Sequence, residues 1–367
     1  MVTYAVDLII KTRRGFEKLA ASYIKELVGE GAEVLPAPSG YLGIVIVKGL
    51  GEGKWKVAEL IAEKVPEADR ILVVEGVVKA DIAEIEKAAV EVAKRYISPG
   101  DTFAIRTTRR GTHPFTSIDV NVRVGAAVKE ATGAEVDLEE PAKPLYVEIF
   151  QDVAAVCVPA TKEYRKLRRD KPLTLSALRR VAIGQMVYEG DDEAVKKMGE
   201  RIGRAAQTFE VAELAILLHK QIPGRTLRAF LEAVEAGVES RYQIQTRSYG
   251  RPVHKVPISV YELYQYVRSR AGEPLIVTDP KGDYVTAVKE RLAQLFARGR
   301  VNVLIGAREG IPPGIYRFAD VVVDLIPEVT IATDFVIPSL MIAFTTALEE
   351  AGALPRYAGK RRPSKAK

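Results

Sequence analysis

The chain has 367 residues, 54 Lys and Arg against 48 Asp and Glu, a net charge of +6, and a mean hydropathy of +0.00. That length supports two or three domains with cores of their own, and the single cysteine, Cys157, excludes an internal disulfide and a Cys-rich metal site. His113, His219 and His254 lack ligand spacing, so no metal is expected, and no apolar run approaches the roughly 20 residues of a membrane helix. The basic surplus favours a polyanionic partner and equally serves solubility. The N-terminus runs straight into a strand-like segment without a secretory signal, so the default expectation is a cytoplasmic protein.

In chain order, 4–10 reads as a strand. A helix follows over 15–28, with Phe16, Leu19, Ala20, Tyr23 and Leu27 on one face. Strands over 40–47 and 71–76 flank a helix over 55–64, and 81–96 is a clean amphipathic helix. Such short α+β units predict a ferredoxin-like platform. Segment 101–150 gives a strand with Ile105, Arg106, Thr107 and Arg109, a helix from near Phe115 and Ser117, then Asp137-Leu138 and a Pro-bounded return strand from Leu145. Cys157 lies in the apolar run 153–158 and reads as a buried structural thiol.

Segment 162–171, KEYRKLRRDK, is a basic linker closed by Pro172. Its charges and Tyr164 suit a phosphate track with a stacked base, and a self-repelling solvated linker is an equal alternative. Beyond it come a strand over 180–188 and a long helix over 191–219 that opens on Asp191-Asp192. A second helix covers 226–236, and 241–255 is polar, basic and aromatic. Ser259 reads as the N-cap of a helix to Arg270. A strand over 275–278 ends in Asp279-Pro280-Lys281-Gly282, and a helix over 284–297 leads to the apolar strand 301–305. Next come Gly306-Ala307-Arg308-Glu309-Gly310, an apolar strand over 320–325, and a helix opening at Pro338-Ser339-Leu340. Uninterrupted apolar strands alternating with helices predict a mostly parallel sheet covered on both faces. Asparagine occurs only at 121 and 302, and 355–367 is a basic tail that reads as a solvated terminus.

The order Gly-acid-Gly loop, apolar strand and loop, then a helix opening Ser-Leu resembles the cofactor half of SPOUT methyltransferases, the trefoil-knotted enzymes that use S-adenosylmethionine. The resemblance covers roughly the second half of the chain. It implies a cofactor site at the carboxyl ends of strands, formed by Thr278, Ile305, Gly306, Gly310, Ile326, Thr330, Ile331, Ala332 and Thr333. The glycines would admit close backbone approach or serve turn geometry alone. Ser339 would touch the cofactor or cap the last helix. Ribose methyltransferases of this family use an arginine from an early Asn-x-x-x-Arg motif, which is absent here. The catalytic candidates are therefore Arg308, Glu309 and Arg247, with Arg251 and His254 also considered. Arg308 is equally a candidate phosphate or ribose clamp.

Segment 101–150 resembles a THUMP domain, an RNA-binding module of tRNA-modifying enzymes. That resemblance implies RNA contacts at Arg106, Arg109, Arg110 and His113; Arg165, Lys166, Arg168 and Arg169 are the RNA candidates of the basic linker on its composition. The bland alternative for the first four is a charged strand edge. Together the halves resemble the archaeal THUMP–SPOUT proteins. The expected organisation is α/β: a platform over 1–67, a THUMP domain over 68–160, the linker 161–172, a SPOUT domain over 173–354 and the tail 355–367. The implied function is S-adenosylmethionine-dependent tRNA methylation by a homodimer, specifically 2′-O-methylation of cytidine 6 in the acceptor stem. The alternatives are base N-methylation and a non-catalytic RNA-binding protein.

Overall fold

A computed structural model describes residues 6–164 and 168–356, in two compact units that divide between Arg168 and Arg169. Arg165, Lys166, the first residues of the expected opening strand and nearly all of the basic tail lie outside the described residues.

The first unit contains β1 (Leu8–Lys11), α1 (Glu17–Val28), β2 (Glu33–Pro36), β3 (Ile44–Lys48), α2 (Lys54–Lys64) and β4 (Arg70–Lys79). It continues with α3 (Ile82–Tyr96), β5 (Thr102–Arg110), α4 (Ser117–Thr132), β6 (Glu135–Val136), β7 (Lys143–Phe150) and β8 (Val153–Pro159). One eight-stranded sheet runs β2-β3-β1-β4-β8-β7-β5-β6, unbroken across 67/68 because β1 pairs with β4. The ladder is antiparallel except where β5 meets β6 and β7. Helices α3 and α4 begin where the sequence offers caps. Asp81 accepts from the N–H groups of Ala83 and Glu84, and Thr116 with Asp119 forms a capping box.

Alternation splits the strands between two faces. Leu8, Ile10, Val45, Val47, Ile71 and Val73 share a core with Ala20 and Ile24 of α1 and Ala58 and Ile61 of α2. Ile9, Ile44, Leu72, Val74, Tyr146 and Cys157 form a cluster on the other face, and Cys157 is buried as expected. Helix α1 departs from the expected stripe. It buries Ala20, Ala21 and Ile24 and leaves Phe16, Leu19 and Tyr23 exposed. Strand β2 was not anticipated; it is a short, half-exposed edge with a proline, and such edges carry little apolar signal.

The second unit contains α5 (Leu175–Leu178), β9 (Val181–Met186), α6 (Asp192–Phe209), β10 (Glu213–Leu218), α7 (Gly224–Ser248), β11 (Ile258–Glu262) and α8 (Leu263–Ser269). Then come β12 (Leu275–Tyr284), α9 (Lys289–Ala297), β13 (Val301–Ile305), β14 (Val321–Asp324) and α10 (Thr333–Glu350). Its six strands run β11-β10-β9-β13-β12-β14, and every pairing is parallel. Both faces are covered, one mainly by α6, α7, α9 and α10, the other by α8 and the turn at 313–318. This is the expected parallel sheet.

Several elements differ from the sequence reading. The helix expected over 191–219 is α6 followed by β10. Glu210 turns the chain with φ 53°, and the apolar run after it is a buried strand. Helix α7 reaches Ser248, so the basic aromatic segment begins inside it. Ser259 is in β11, where it donates to Glu213, and Glu262 caps α8 instead. Helix α10 starts at Thr333, which places Pro338 and Ser339 inside it rather than at its opening. No helix among the described residues is long and apolar enough to cross a membrane.

Candidate functional site

Strands β13 and β14 end beside the point where β12 breaks its register, and a cleft opens there. It is lined by Thr278 and Asp279 of β12, by Ile305 at the end of β13 with Gly306, Ala307 and Gly310 after it, and by Asp324 at the end of β14 with Leu325, Val329, Thr330 and Ile331 after it, together with Thr333 and Val336 from α10. Carboxyl ends of parallel strands are where ligands of such sheets bind. Of the residues named from sequence, Thr278, Ile305, Gly306, Gly310, Thr330, Ile331 and Thr333 line this cleft together. Ile326, Ala332 and Ser339 are not among the lining residues. The side chain of Ile326 is exposed, and Ser339 is nearly two turns into α10.

Close packing shapes the walls. A Cβ on Gly306 would stand 2.9 Å from the Cα of Gly310, so this glycine is required by the loop closing on itself. Gly310 takes φ 73°, which glycine adopts without cost. Residues 279–282 loop out of β12 and break its register with β14, and Gly282 permits that because a Cβ would meet the Val322 carbonyl carbon at 2.5 Å. Behind the loop, the buried Gln185 of β9 donates to the Met186 carbonyl at 3.0 Å and the Gly306 carbonyl at 3.4 Å. Tyr316 donates to Asp279 at 2.7 Å. Burial, then the bond to Asp279, pushes the Tyr316 phenol up to about 12.

A second cleft opens on the other side of the 306–310 loop and shares Ala307 and Gly310 with the first. Met186 at the end of β9, Val187, Glu189 and Gly190 after it, His219 and Lys220 after β10, and Arg308 and Glu309 complete it. It lies where β9 meets β13, the point at which the strand order switches direction. Lys220 reaches Glu309 at 2.8 Å and Glu189 at 2.9 Å, and the His219 Nε2 stands 3.3 Å from Glu309. The bonds from Lys220 hold the Glu309 carboxyl below its ordinary range. Arg308 stacks over the Tyr188 ring at 5.2 Å and donates to its hydroxyl at 3.2 Å.

Three sequence candidates belong elsewhere. Arg251 pairs with Glu210, which also accepts from Arg179 and from the His254 N–H at 2.9 Å. Arg251 and His254 therefore belong to a structural clamp. Arg247 is exposed at the end of α7 and lines neither cleft. His219 was passed over in the sequence, because nothing in chain order brings the end of β10 to the loop after β13.

The profile of AF2226-like SPOUT RNA methylases fused to THUMP matches residues 175–367, more than half of the chain. The chain belongs to this family. A THUMP profile matches residues 79–158. An uncharacterized protein of Methanocaldococcus jannaschii is 39% identical over 341 residues, 92% of this chain and 93% of its own. A tRNA (guanine(6)-N2)-methyltransferase of Thermus thermophilus is 34% identical over 91 residues, 25% of this chain and 27% of its own. A crystallised Pyrococcus horikoshii protein aligns with a TM-score of 0.36 and 16% identity, covering 95% of this chain and 99% of its own.

In the THUMP half, the expected RNA-contact residues cluster on and after β5, and they differ in freedom. Arg110 pairs with the fully buried Glu148 at 2.7 Å and stacks on Phe150 at 4.9 Å. Lys11 pairs with the same carboxylate. Arg106 donates to the Leu138 carbonyl at 2.5 Å, and His113 bonds the Gln151 carbonyl at 2.5 Å. Arg109 makes long contacts to His113, at 3.4 Å, and the Thr116 hydrogen bonds, helped by the Arg109 charge, lower the Asp119 carboxyl. Arg168 and Arg169 border the division between the units, and Tyr164, the expected stacking residue of the linker, is 90% exposed.

Proposed function

We propose that this THUMP–SPOUT protein is an S-adenosylmethionine-dependent tRNA methyltransferase acting on a ribose 2′-hydroxyl of the acceptor stem, at cytidine 6. The observation that carries this reading is the pair of clefts separated only by the 306–310 loop. One has the lining a nucleoside-bearing sulfonium needs: apolar Ile305, Leu325 and Ile331 for a ring, threonines and backbone at the rim. The other is polar and suits an acceptor nucleotide. The bound cofactor supplies an already activated methyl group. What the protein must do is align the acceptor hydroxyl and take its proton.

His219 is our choice for that proton, taken at Nε2, the ring nitrogen that stands 3.3 Å from Glu309, since Nδ1 is buried. Arg308, backed by Tyr188, is the candidate clamp for phosphate or ribose. Position 6 is suggested by the name of the Thermus thermophilus relative. The THUMP half would hold the tRNA through Arg106, Arg109 and His113, with the linker residues Arg165, Lys166, Arg168 and Arg169. The reading includes the trefoil knot and a homodimer of the SPOUT half, where Phe335 and Ile342 of α10 are exposed apolar side chains.

The test is calorimetric titration with S-adenosylmethionine and S-adenosylhomocysteine, followed by methyl transfer to tRNA transcripts and mapping of the modified nucleotide. Binding abolished by Thr333→Trp and a 2′-O-methyl at cytidine 6 are expected. A methyl on a base nitrogen would move the chemistry, and a folded protein that binds neither ligand would leave a non-catalytic RNA-binding protein.

A further inference from the structure

Asp279 and Asp324 are the only ionisable side chains lining the first cleft, and no lysine, arginine or histidine joins them among the described residues. We propose that these two carboxylates make the cleft discriminate by charge, holding the cationic methyl donor more tightly than the neutral product that transfer leaves behind. The inference rests on the cofactor reading above.

The charge arithmetic is simple. S-adenosylmethionine carries a sulfonium, an ammonium and a carboxylate, a net +1. Loss of the methyl group leaves a thioether, an ammonium and a carboxylate, a net charge of zero. A cleft that offers only negative charge therefore loses attraction for its occupant in the chemical step itself. Two neighbouring cations are engaged elsewhere. Arg308 is turned onto Tyr188 in the second cleft, and Lys220 is paired with Glu189 and Glu309. Lys281 gives Asp279 its backbone N–H at 3.0 Å while the residue is exposed.

Both carboxylates have acceptor capacity to spare. A carboxylate offers about four lone-pair sites. Asp279 uses one oxygen for the Lys281 N–H and the other for the Tyr316 hydroxyl. Asp324 accepts the Ile326 N–H at 3.1 Å. Tyr316 is the positioning residue of the set: it remains a protonated donor across the working pH range and fixes Asp279 against the loop that carries Gly310, whose Cβ position lies 3.9 Å from the same Asp279 oxygen.

The experiment is titration of the full-length protein with S-adenosylmethionine, S-adenosylhomocysteine and sinefungin, which carries an amine where the sulfonium stands. The wild type is expected to bind both cationic ligands about tenfold more tightly than S-adenosylhomocysteine, the scale of one partly screened charge pair. Asp279→Asn and Asp324→Asn, close in shape to the originals, should each shrink that ratio by weakening the cationic ligands alone. Tyr316→Phe should shrink it partly, with thermal melting confirming an intact fold in all three. Equal affinities in the wild type, or variants that weaken every ligand by one common factor, would overturn charge discrimination while leaving the cofactor site standing. Failure of the wild type to bind any of the three would overturn the cofactor reading and this inference together.

Discussion

Gly237 of α7 lies directly on the carbonyl oxygen of Glu200 in α6, where a Cβ would come within 2.1 Å of it. Gly203 of α6 meets the Val234 carbonyl oxygen of α7 in the same way, also at 2.1 Å. The two helices thus touch backbone to backbone, and neither glycine can gain a methyl group without the helices parting. Gly203→Ala or Gly237→Ala should destabilise the second unit by about 1–3 kcal/mol, as overpacking does. Gly224→Ala, at an open position in α7, should be neutral or mildly stabilising. Thermal unfolding of the three variants side by side measures the difference.

Glu210 gives the protein a defined response to acid. Burial alone would raise its carboxyl, yet the guanidiniums of Arg251 and Arg179 and the His254 N–H overcome this and hold it at about 2. A carboxyl lowered in the folded state contributes stability that is complete above about pH 5 and is lost as the pH falls toward 2. The contribution is roughly 2–3 kcal/mol at neutral pH. Urea unfolding at several pH values should show this loss in the wild type, and Glu210→Gln should flatten that part of the profile while lowering stability at pH 7.

Arg109 and Arg110 are adjacent and should fail differently. Arg110→Ala removes one of two cations from the buried Glu148 and should lower the melting temperature, with a cost of about 1–3 kcal/mol. Arg109→Ala should leave melting unchanged and weaken tRNA binding, with the salt dependence of log K reduced by close to one unit if it contacts a phosphate. Melting curves and filter binding at several salt concentrations separate the two.

The second cleft yields a kinetic prediction. His219→Ala should reduce methyl transfer by about 10²–10⁴-fold, the range for a lost general base, with S-adenosylmethionine affinity unchanged. Arg308→Ala should raise the KM for tRNA more than it lowers kcat. Single-turnover transfer and cofactor titration check both.

The first cleft was the more legible part of this protein. The strands at 301–305 and 320–325 are unbroken apolar runs, and each leads into a loop, so the resemblance to SPOUT enzymes could name Gly306, Gly310, Thr330 and Thr333, which line one cleft. Asp279 was visible in the same way, at the end of an apolar strand, but nothing in the sequence shows that a tyrosine 37 residues later would aim it. His219 was illegible for a related reason. Its strand, β10, follows α6 with no proline or glycine between them, and only the left-handed turn at Glu210 separates the two. Arg251 and His254 misled because a basic, aromatic segment has the same composition whether it grips RNA or a buried carboxylate.

The position of β8 sets how the first unit can be divided. It is the last strand of that unit in the chain, yet it lies mid-sheet between β4 and β7. A fragment cut to the THUMP match at 79–158 would lose nearly all of β4 and leave β8 with a row of unpaired N–H and C=O groups along an apolar strand, which is a template for self-association. The smallest piece of this half to express alone is therefore the whole eight-stranded sheet. A ribosome must also release Pro159 before the sheet's middle can close, so the strands made first wait for the one made last.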